Sequence, residues 1–119
     1  MCEKANQGAE IYHQARHAEQ EGRVTLAESY YLQSHELFKK TCETGGADCL
    51  NAANALNALT FLRWSRKDYE GALLSAKESV TIMETYRTQF ISTDADFIYD
   101  TSRELMDQMQ YEMALVSTK

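Results

Sequence analysis

His13 and His17 stand one helical turn apart, with Glu10 and Glu21 on either side, a spacing that lets one helix face offer two imidazoles to a divalent metal. The set is incomplete. The glutamate that a zinc-hydrolase helix places between its histidines is absent, and His35 belongs to another helical stretch. The pair therefore reads as surface histidines, with no metal centre and no cofactor expected. Cys42 and Cys49 flank Gly45 and Gly46, where redox chemistry is open to a thiol. Together with Cys2 they are odd in number and lack close paired spacing, so reduced, small packing residues are the expectation. Asp94 and Asp96 suit the positive end of a helix better than an acid/base dyad. No phosphate loop or nucleophile elbow occurs, no catalytic residue is assigned, and the chain reads as a non-enzyme.

The elements that must position these groups are helical. The chain contains no proline, the residue that normally marks turns and strand edges, and it is rich in Ala, Glu, Leu, Gln and Lys. Ala27, Tyr30, Tyr31, Ser34, Leu37 and Phe38 recur at three- and four-residue steps, which predicts a helix over about Thr25–Thr44. Thr25 and Glu28 have the spacing of a capping box at its start, Gly45 and Gly46 suit its end, and Asp48 suits the cap of the next helix. The same periodicity predicts an opening helix over about Lys4–Glu21 that stops near Gly22. A third helix over about Cys49–Arg66 is apolar round much of its circumference and is expected at the centre. A fourth runs over about Tyr69–Tyr86, with Asp68 as its cap, and a fifth begins after Ser92 and Thr93.

Composition bounds the function. A chain of 119 residues, 44% of them hydrophobic, fits one domain with a modest core. A formal net charge of −6 argues against a nucleic-acid backbone or an anionic membrane as partner, and favours a neutral or basic peptide. No apolar run approaches a membrane span, and the stretch from Met1 to Glu10 is polar, unlike a secretion signal. The expected location is cytoplasmic.

The segment from Asp68 to Lys77 returns 42 residues later as Gln110 to Lys119, and a fainter copy places Val24, Ala27, Tyr31 and Ser34 at Tyr69, Ala72, Ala76 and Ser79, an offset of 45. These residues, with Leu56, Asn57 and Leu59 from the stretch Asn54–Ile82, resemble the tetratricopeptide repeat family, and the spacing resembles the longer repeat of kinesin light chains. The chain departs from the pattern where Gln14 replaces a leucine, Arg63 an aromatic and Lys67 the turn glycine. The resemblance implies an all-α fold of about five helices, antiparallel helix–turn–helix repeats stacked as a short α-solenoid. It divides a single domain, 1–119, into repeats over about 5–47 and 48–91 and a partial repeat or capping helix over 92–119.

It further implies a concave surface lined by the first helix of each pair, which holds a protein or peptide. The groove positions are Tyr12, Arg16 and Glu19, then Asn54, Asn57, Phe61 and Trp64, then Tyr99, Arg103 and Met106. Ile11, Ala15, Leu56, Leu59, Ile98 and Ser102 fill the packing positions beside them. Asn groups suit an extended backbone, Arg suits a carboxylate, and Trp and Phe are apolar anchors. Phe61 and Trp64 have an alternative place in the core of the central helix. The alternative function is a self-associating structural module. Met113, Leu115 and Val116 need cover, which a homodimer through the C-terminal helix, further repeats or a fold-back would supply.

Overall fold

The computed structural model describes residues 3–42, 47–86 and 93–117, all of which lie in five helices or the short turns between them. They are α1 (Glu3–Gln20), α2 (Val24–Cys42), α3 (Ala47–Ser65), α4 (Tyr69–Tyr86) and α5 (Thr93–Ser117). Each packs on its neighbour in sequence, and α5 also reaches α3, giving a stack of 51 × 33 × 21 Å. The fold is all-α, as the lack of proline and the 3.6-residue stripes predict. No described helix is long and apolar enough to cross a membrane.

The stack forms because its seams are lined with alanine. Ala15, Ala18, Ala27, Ala52, Ala53, Ala55, Ala72 and Ala76 are all buried, so the helix backbones approach closely. Tyr31, Leu56, Leu59, Met83 and Met109 fill the remaining space, and each buried leucine contributes about 2 kcal/mol. At Gly8 the space is filled by the Phe38 ring, 3.1 Å from where a β-carbon would stand.

The two turns that join helices within a pair have one design. After α1, the Gly22 N–H donates to the Glu19 carbonyl (3.0 Å) and the Arg23 N–H to the Ala18 carbonyl (2.9 Å). After α3, 45 residues on, Lys67 donates to Trp64 (2.9 Å) and Asp68 to Arg63 (2.8 Å). Both are Schellman closures, whose hinge residue takes a left-handed conformation: φ is 79° at Gly22 and 65° at Lys67. A lysine there accepts a steric cost that glycine avoids. The same offset relates two buried hydroxyls: Ser34 donates to the Gly8 carbonyl (2.8 Å) and Ser79 to the Ala53 carbonyl (3.1 Å).

Several sequence expectations are corrected. Thr25 does not cap α2, which starts at Val24 because Arg23 both ends the Schellman turn and opens the next helix, its carbonyl accepting from Ala27 (2.9 Å). Glu28 instead pairs with Arg63 and Arg66 of α3 and its turn. Asp48 lies inside the first turn of α3, where its charge favours the helix dipole. Asp68 does cap α4, accepting from the Gly71 N–H (3.1 Å). Through the copy at Gln110, left open as a partial repeat or a capping helix, α5 runs unbroken to Ser117. Gly45, Gly46, Ser92 and the side chains of Thr93, Asp94 and Val116 lie outside the described residues.

Cys42 and Cys49 are joined in a disulfide, with α-carbons 4.6 Å apart, and do not stand as reduced thiols. The odd count concealed the pair, and the α2–α3 seam brings the two β-carbons together. Such bonds persist in oxidising compartments and are rare in the cytoplasm.

Candidate functional site

Tyr31 determines the shape of the surface between α1 and α3. Its register partner in the second pair is Ala76, so the first pair carries an entire phenol where the second has a methyl group. The ring is fully buried and meets Tyr12 edge-on, with centroids 5.6 Å apart. Its hydroxyl donates to Glu19 Oε1 at 2.6 Å. Burial, then the bond to Glu19, push the Tyr31 phenol well above its ordinary range, so it keeps its proton and holds the carboxylate in place.

Above Tyr31 lies an open cleft of about 460 Å³, lined by Arg16, Glu19 and Gln20 of α1 and Ala58 and Phe61 of α3. Arg16 has its pKa raised, chiefly by a hydrogen bond to Tyr12. Phe61 is 48% exposed and stacks on Trp64, with centroids 6.4 Å and planes 26° apart. The core places beside them belong to Leu59 and Leu62, so the Phe61 ring stays at the cleft. Further along the same seam, Asn54 Nδ2 donates to the Tyr12 hydroxyl (3.4 Å) beside a smaller recess of about 180 Å³. One seam thus presents a cation, a carboxylate, two amides and a pair of stacked aromatics. That set suits hydrogen bonding and apolar anchoring of an extended ligand.

The other groove positions separate from this seam. Asn57 is buried, and its Oδ1 lies within hydrogen-bond distance of the hydroxyls of Ser79 (2.9 Å) and Ser102 (3.0 Å), while Nδ2 faces the Ile98 carbonyl (3.5 Å). Its place is a junction of α3, α4 and α5, because α5 covers the face of α3 that the repeat pattern alone leaves open. Tyr99 and Arg103 meet on Glu84 of α4: Tyr99 donates to it (3.2 Å), and Arg103 donates to the Tyr99 hydroxyl (3.3 Å) and pairs with the carboxylate (3.7 Å). Met106 is half-buried on the same helix.

Two residues take structural roles that their sequence positions did not indicate. Arg63, in place of an aromatic, donates to Glu28 (3.2 Å) and to the Gly71 carbonyl (3.0 Å), tying α2, α3 and α4 together. His35 is buried with Nδ1 against the Ala52 carbonyl (3.3 Å) and Nε2 against Glu78 (3.2 Å). Their signal was polarity at positions of a helix stripe that the register makes internal. His13 and His17 both border a different cleft, between α1 and α2, where His17 approaches Glu21 (3.8 Å). Among the described residues, no three His, Cys, Asp or Glu side chains gather as metal ligands. No protein-family model, curated protein or solved structure matches this chain, so its site rests on geometry alone.

Proposed function

We propose that the chain is a protein- or peptide-binding adaptor of tetratricopeptide-like architecture, and that its ligand lies along the α1–α3 seam. One observation carries this reading: Arg16, Glu19, Gln20 and Phe61 converge on a single cleft whose floor, Tyr31, is rigidly fixed. Preorganised polar groups beside an exposed aromatic give affinity without the cost of ordering the site on binding. The groups present are those of recognition, so binding, not catalysis, is the function. The partner is a neutral or basic segment, since the net charge of −6 repels nucleic acid and anionic membrane.

Selection of a displayed peptide library on the native chain tests the reading. Peptides recovered in this way are expected to lose about tenfold or more in affinity to Arg16→Ala and to Phe61→Ala, both exposed sites whose thermal midpoints should stay near that of the parent. Peptides that bind both variants as well as the parent would place the ligand elsewhere.

A further inference from the structure

A second surface lies on the outward side of α5. The helix buries Ser102, Leu105 and Met109 against the stack. Phe97, Asp100, Glu104, Asp107 and Tyr111 follow one another at three- and four-residue steps on the opposite side, within about 80° of the helix circumference. Phe97 is 71% and Tyr111 61% exposed, and the three carboxylates between them are exposed as well. The two rings stand about 21 Å apart along the axis, at 1.5 Å per residue. Aromatic side chains are enriched at protein–protein contact surfaces, and here two share one helix face with the row of carboxylates between them.

We propose that this stripe docks a basic amphipathic helix from a partner protein, with apolar side chains on Phe97 and Tyr111 and lysines or arginines against Asp100, Glu104 and Asp107. The charge of the face selects the occupant. A second copy paired across a two-fold axis would set these three carboxylates against their own kind. Arg103, the basic residue among the described side chains of α5, pairs with Glu84 and Tyr99 and is also within reach of the Asp107 charge, which leaves Asp100 and Glu104 as the carboxylates of the row that it does not offset. The surface is distinct from the α1–α3 cleft and shares no residue with it.

The test uses the intact chain and a synthetic helical peptide of about 18 residues, long enough to span both rings, with leucines on one face and lysines between them. Its counterpart carries glutamates in place of the lysines. Fluorescence anisotropy is expected to show micromolar binding of the cationic peptide, at least about tenfold weaker binding of the acidic one, and a loss on adding salt. The Phe97→Ser and Tyr111→Ser variants should each weaken binding about tenfold, and Asp100→Asn with Glu104→Gln should flatten the salt dependence. Arg16→Ala and Phe61→Ala should leave it unchanged, which separates this surface from the cleft. Equal binding of the two peptides, or no binding of either, would overturn the proposal. So would a loss confined to the cleft variants, or sedimentation showing a dimer that Phe97→Ser dissociates, which would make a second copy the occupant.

Discussion

The junction between the first helix pair and the second, and the junction between the second pair and α5, close the same kind of seam with different chemistry. At the first, a covalent bond joins Cys42 to Cys49, Arg63 reaches Glu28, and the His35 ring sits between the Ala52 carbonyl and Glu78. At the second, the buried partners are neutral: the Ser79 and Ser102 hydroxyls stand 2.7 Å apart, each also within hydrogen-bond distance of Asn57 Oδ1, while the Arg103–Glu84 pair lies exposed beside them. Either solution satisfies its buried polar atoms, and among the described residues no buried side-chain nitrogen or oxygen lacks a partner. The first junction is held by strong local bonds that act independently. The neutral one is a network in which each group depends on the others.

Breaking the covalent junction should have the largest effect. Cys42→Ala with Cys49→Ala is expected to lower unfolding free energy by about 2 to 3 kcal/mol, the loop-closure value for so short a loop, read as a shift of the urea midpoint. An unchanged midpoint, or full alkylation of Cys42 and Cys49 in the native protein without reductant, would remove the bond from the comparison. Asn57→Ala comes next, at about 2 kcal/mol, since it removes the buried amide that α3 shares with Ser79 and Ser102, leaving those hydroxyls only each other and the Ala53 and Ile98 carbonyls. A loss below about 0.5 kcal/mol would mean that the neutral junction does not hold α5.

Two smaller changes sharpen the comparison at the turns and the surface. Lys67→Gly should raise stability by about 1 kcal/mol, because only glycine takes φ near 65° without steric cost, and Gly22→Lys should lower it by a similar amount. Opposite signs in calorimetry would confirm that the two turns share one geometry; the same sign in both would refute it. Asn54→Ala should change stability by no more than about 0.5 kcal/mol, in contrast to Asn57→Ala three residues on, because Asn54 is exposed and its one bond is long.

The residues themselves made much of this architecture readable. The fourth helix, Tyr69–Tyr86, coincides with its periodic stripe, and Gly22 and Asp68 end and begin helices as their chemistry predicts. Within the site, Arg16, Glu19 and Phe61 meet on one cleft. The rest required knowledge of neighbours. Periodicity assigns a residue to a face of a helix, yet α3 has three helices around it, so Asn57 belongs equally to a groove or a junction until α5 is placed. Tyr99 and Arg103 found Glu84 for the same reason. The 42-residue copy at Gln110 left a partial repeat and a continuous capping helix open; α5 runs unbroken through it, and the recurring bonds of the structure follow the 45-residue offset.

The Ser34 and Ser79 bonds carry one more consequence. In each case the acceptor is a main-chain carbonyl, at Gly8 in one pair and Ala53 in the other. Every amino acid supplies that oxygen, so the contact constrains the alphabet at only one of its two ends. Half the instruction for docking one helix on the next is thus written in the polymer and not in the side chains. Letters at the receiving position are free to change, within the space that Phe38 leaves, while the bond stays the same. A repeat held together in this way keeps its three-dimensional periodicity as its text loses it.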